Sequence, residues 1–102
     1  MLHLDLHIQP QTAHRLKTIL ASAPDEETFV RNVIAYRVSE LQKGILNIRL
    51  DLRQFEEKYK QSTAEFYHHF ESGQAGDGED EMLWAGLFEM LQESEQRLQE
   101  LL

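Results

Sequence analysis

A mainly α-helical chain that opens on one strand is the fold class this sequence predicts, and three observations predict it. Residues 2–8 alternate apolar and polar side chains, the two-residue period of a strand with one apolar face. Between Val38 and Tyr59 the apolar residues are separated by alternating steps of three and four, the period of a helix seam. Beyond residue 60, two helical patterns flank the glycine- and acid-rich stretch "SGQAGDGED", which predicts a helical hairpin. The expected order is therefore strand, helix, helix with a long heptad-bearing extension, and C-terminal helical hairpin. All of it fits one domain over residues 1–102, with a strand-helix-helix dimerisation part over 1–43 and an acidic helical part over 44–102.

In the opening "LHLDLHI", Leu2, Leu4, Leu6 and Ile8 make the apolar face, and His3, Asp5 and His7 the polar one. Pro10 suits the first turn of a helix, and Leu16, Ile19 and Leu20 supply a short stripe, so a helix is expected over about residues 10–21. Ser22 reads as the N-cap of the next helix, with Pro24 in its first turn and Asp25 closing a capping box. Val38, Leu41, Ile45, Ile48, Leu52, Phe55 and Tyr59 then form the a/d seam of a coiled coil over three heptads, which implies a partner helix. Lys43 and Gly44 would serve as a helix end, yet the seam keeps its phase across them and favours a continuous or gently kinked helix. Leu46 and Leu50 widen the stripe.

Ser62 with Glu65 predicts a capped start for the next helix, which carries Phe66 and Phe70 on one face. Gly73 stands where a left-handed residue ends a helix, and Gly76 and Gly78 permit a tight reversal. Asp77 or Asp80 is a candidate cap for the last helix, and Glu79 and Glu81 suit its positive end. That helix, from about Asp80 to the end, carries Leu83, Trp84, Leu87, Phe88, Met90, Leu91, Leu98 and Leu101, and its first half is apolar on more than one side. Whether Trp84 turns inward or is held out for a partner stays open at this level.

Composition excludes several functions. With no cysteine there is neither a disulfide framework nor a thiol nucleophile, which fits a reducing, cytoplasmic setting. No signal segment opens the chain, and no apolar run approaches the roughly 18 residues a membrane span needs. No glycine-rich phosphate loop and no Ser–His–acid set is present, so an enzyme is not expected, and no cofactor is implied. "DGEDE" lacks the ligand spacing of a calcium loop. His3, Asp5 and His7 share a face and are metal-competent types, but the plain reading is the polar face of an amphipathic strand; His68 and His69 are adjacent and point apart on a helix.

The formal net charge of −8 is unevenly spread. Residues 1–60 hold nine Lys/Arg against eight Asp/Glu, whereas residues 61–102 hold Arg97 alone against ten acids. An acidic C-terminal segment is suited to docking on a basic protein, because complementary charge speeds encounter and suppresses wrong partners.

A strand followed by two helices, the second opening with "DEETFVRNVIAYRVSEL", resembles over residues 2–43 the ribbon-helix-helix family of DNA-binding repressors and antitoxins. The resemblance implies a homodimer whose two strands pair, with Leu2, Leu4, Leu6 and Ile8 at the interface, extended by Val38, Leu41, Ile45, Ile48 and Leu52 of the seam. It also implies DNA contact through the outward strand face, His3, Asp5 and His7, with Arg15, Lys17, Arg31 and Arg37 on phosphates. That face carries no Arg, Lys, Asn or Gln, and Asp5 repels phosphate, a thin footprint for a sequence reader.

Residues 55–90 resemble the C-terminal module of short prokaryotic antitoxin-like proteins of two-gene toxin–antitoxin modules. The shared pattern is carried by Phe55, Glu56, Lys58 and Tyr59, then Ser62, Glu65 and Phe66, then Phe70, Glu71, Gly73, Gly76 and Asp77, followed by Asp80 and Trp84. The family often places an acid just before the tryptophan; here Leu83 stands there. The resemblance implies binding of a small basic, toxin-like protein, with Phe66, Phe70, Asp77, Asp80, Trp84 and Phe88 as candidate contacts, and the alternative function is a DNA-binding regulator.

Overall fold

Four helices carry the chain: α1 (Pro10–Ser22), α2 (Glu26–Tyr59), α3 (Thr63–Glu71) and α4 (Glu79–Gln99). The computed structural model describes all residues, Met1–Leu102, and divides them into two compact units, Met1–Ala35 and Tyr36–Leu102. The division falls inside α2, ahead of residue 43.

Mainly α is correct, but the N-terminal strand is not: residues 1–9 form no strand, and the chain contains no sheet. The ribbon-helix-helix architecture is overturned with it. Alternation gives Leu2, Leu4, Leu6 and Ile8 a common side, but a strand also needs a second one to take its N–H and C=O groups, and every other regular segment here is helical. Those four side chains are exposed.

In the first unit, Pro10 occupies the first turn of α1, and Ala13 N–H donates to the Gln9 carbonyl (2.9 Å). The helix continues one residue past the expected end, and the Ser22 hydroxyl donates back to the Ile19 carbonyl (3.0 Å). Ser22 therefore closes α1 and caps nothing. Ala23 is extended (φ −75°, ψ 144°), as the residue before Pro24 must be. Asp25 is the true cap of α2, accepting the Thr28 N–H at 2.6 Å, which holds its carboxyl below the usual range. No residue of the unit is buried; Ala13, Leu16, Ala23, Thr28 and Phe29 are half-buried, while Ile19, Leu20, Val30, Val33 and Ile34 are exposed.

The second unit is built around the seam. α2 runs uninterrupted through Gly44, where an added Cβ would meet nothing, so the glycine marks no break. Leu41, Ile45, Ile48 and Leu52 are buried and Val38 is half-buried; Ile45, Ile48 and Leu52 share a core with Phe66 of α3 and Trp84, Ala85 and Leu91 of α4. The seam's partner is thus in the same chain. Arg49 pairs with Glu95 and Lys58 with Asp80, so α2 and α4 run antiparallel. Leu46 and Leu50 face solvent instead of joining the core. Between α2 and α3, Lys60 is left-handed (φ 53°), and the Thr63 N–H donates to Glu56 across the corner (2.8 Å).

Candidate partner-binding surface at the helical joint

The joint between α3 and α4 starts from a well-formed helix end. Gly73, at φ 79°, donates to the Phe70 carbonyl (3.1 Å), and Gln74 donates to His69 (2.8 Å), the paired bonds of a Schellman motif. Gly76 is also left-handed (φ 83°), and the two glycines turn the chain toward α4. Ser62 caps α3 by accepting the Glu65 N–H (3.2 Å). The N-cap of α4 is Gly78, with no side-chain cap, so neither Asp77 nor Asp80 takes the capping role expected of them.

Asp80 is spent elsewhere. Its carboxylate accepts from Lys58 Nζ (2.7 Å) and from the Tyr59 hydroxyl, tying the start of α4 to the end of α2. These donors hold the Asp80 carboxyl below the usual range; the same bonds raise Lys58 and Tyr59 above theirs. On the other side, the Tyr67 hydroxyl donates to Glu89 (2.8 Å), which raises the phenol pKa.

Under this joint lies an aromatic stack. Trp84 is 2% exposed; Phe66 lies parallel to it at 4.0 Å between centroids, while Phe55 and Tyr59 stack on it at 5.6 and 5.7 Å. Its indole N–H donates to the hydroxyl of buried Thr63 at 2.9 Å, leaving no polar atom unpaired. Trp84 and Phe66 are therefore core, not partner anchors. Phe70 and Phe88 are half-buried beside Tyr67, with ring centroids at 6.1 and 4.8 Å, and only Asp77 of the six candidates is fully exposed.

A cavity of about 200 Å³ opens over the stack, lined by Tyr59, Gln61, Phe66, His69, Gln74, Ala75, Glu81 and Trp84. Sequence reasoning singles out Tyr59, Phe66 and Trp84 of this lining but does not gather Gln61, His69, Gln74 and Glu81 around them. The available signal is the acid three residues before Trp84, which the sequence alone explains by the helix dipole.

The DNA-facing candidates are not gathered by any ribbon: His3, Asp5 and His7 lie on the segment before α1, Arg15 and Lys17 on α1, and Arg31 is paired with Glu27 (2.9 Å). Chemically the second unit offers charge and shape; no group of three or more His, Cys, Asp or Glu is placed to hold a metal ion. No helix is long and apolar enough to cross a membrane. No family model, curated protein or solved structure matches the chain.

Proposed function

We propose that this is a non-enzymatic interaction protein of the antitoxin-like kind, whose acidic C-terminal helices bind and neutralise a small basic protein partner. Two observations support the reading: residues 61–102 hold ten acids against Arg97 alone, and the first unit buries no residue while exposing Ile19, Leu20, Val30, Val33 and Ile34. A 35-residue unit of helices with no core gains stability only by covering that surface with other polypeptide. A second copy of the chain covers it in this reading, making a homodimer through α1 and the start of α2.

The partner surface is the outside of the second unit. Its aromatics are committed to the core, so contact falls to its carboxylates and to exposed Met82, Leu83 and Met90 of α4. Charge supplies the encounter and the apolar side chains supply the seal. The test is co-expression with the product of the neighbouring gene. Co-purification of a small basic chain, with affinity falling steeply as salt rises, is the expected result; a protein that elutes alone at low salt overturns the reading.

A further inference from the structure

We propose that the cavity over the Trp84 stack is a receptor for one arginine side chain of a basic protein partner. Four carboxylates are half-buried: Glu56, Asp80, Glu81 and Glu95. Three are satisfied, Glu56 by the Thr63 N–H, Asp80 by Lys58 and Tyr59, Glu95 by Arg49. Glu81 alone makes no hydrogen bond or ion pair, and it lines the cavity. Beyond the positive end of α4, Glu81 has no counter-charge of its own, so its carboxylate is available to a cation arriving from outside.

The rest of the lining narrows the kind of cation. Trp84 is almost wholly buried and stacked by Phe66, Phe55 and Tyr59, so no open indole face invites a bare ammonium. Tyr59, Phe66, Ala75 and Trp84 supply the apolar part of the lining, suited to a methylene stem. Gln61 spends its amide nitrogen on His69 Nδ1 (3.3 Å), which leaves its carbonyl oxygen as an acceptor, and the Gln74 carboxamide also lines the space. Several acceptors around one carboxylate suit the five N–H donors of a guanidinium better than a point charge. The positive end of α4 does not forbid this: its first turn carries Glu79, Asp80 and Glu81, of which Lys58 neutralises one. The Glu81 carboxylate now folds back to where a Cβ of Gly78 would stand, so the absence of a side chain there gives it room to swing.

This rests on the reading of the chain as the binder of a basic protein, but the cavity can be tested without that partner. The full chain is titrated with acetyl-Gly-Gly-Arg-Gly-Gly-amide while the indole N–H resonance of its only tryptophan is followed by NMR. Saturable displacement of that resonance is expected, about tenfold weaker for the peptide with citrulline in place of arginine and for Glu81→Gln. Equal response to the citrulline peptide, or an unchanged response in Glu81→Gln, overturns the proposal. So does binding seen only in Lys60→Gln, since that makes the chain's own neighbouring lysine the occupant. Absence of a co-purifying partner alongside a positive titration refutes the function and leaves the receptor standing; the reverse pattern refutes the receptor alone.

Discussion

The two units are both helical, yet they reach helicity by different means. The second closes its seam on itself: Ile45, Ile48 and Leu52 meet Phe66, Trp84 and Leu91, and Asp80, Glu89 and Glu95 tie the helices together from outside. The first has caps and periodicity but no interior; nothing in it is buried. The contrast teaches that amphipathic spacing states a need for cover and is silent on where the cover comes from.

The largest way to break the contrast is to empty the core that only one unit has. Trp84→Ala removes three ring stacks and a buried hydrogen bond, and should cost about 3–5 kcal/mol in urea denaturation, unfolding the second unit. Thr63→Val keeps the volume but strands the indole N–H, with about 1–3 kcal/mol lost in the same measurement. Gly73→Ala forces a side chain into φ 79° and should cost about 1–2 kcal/mol by thermal melting, even though the added Cβ meets no neighbour. In contrast, the pair Val33→Ser and Ile34→Ser should change the stability of the second unit by less than about 0.5 kcal/mol. Light scattering should show a dimer for the parent chain, as proposed, and a monomer for that variant.

The smallest effect sharpens the comparison through pH. Asp80 has a depressed pKa in the folded chain, so its stabilising contribution is present above about pH 4 and is lost as pH falls through the lower, folded value. Lys58 and Tyr59 are raised, so theirs is present below about pH 10 and is lost as pH climbs through their raised values. Asp80→Asn should flatten the acid limb of the stability profile for the second unit and leave the circular dichroism of the first unchanged.

What the residues themselves disclosed follows from local physics. The three-four spacing from Val38 to Tyr59 overrode Gly44, because one missing side chain on a solvent face does not disturb a helix held by its seam. Ser62 and Gly73 were legible because a cap and a left-handed helix end each depend on a single residue's chemistry. "LHLDLHI" was not, since alternation describes side chains while a strand is made by backbone partners found only in three dimensions. Ser22 and Asp25 are both cap-forming types three residues apart, and only the course of the chain before Pro24 shows that Asp25 starts α2. The candidate contacts Phe66 and Trp84 were ambiguous for a related reason: an aromatic at helical spacing serves a core and an interface equally well, and α2 decides it by stacking Phe55 and Tyr59 onto the indole.

Three of the bonds that close the second unit bear on its folding speed. Tyr59 to Asp80, Thr63 to Trp84 and Tyr67 to Glu89 join residues 21 or 22 apart in the chain, so each closes a loop of nearly the same modest length. Loop-closure entropy is then small and paid once, since forming any one of these links brings the other two within reach. A chain with this arrangement should collapse from the α3–α4 turn outward on the microsecond-to-millisecond scale typical of local helical topologies. The acidic half would then be complete while the first 35 residues are still searching for their complement.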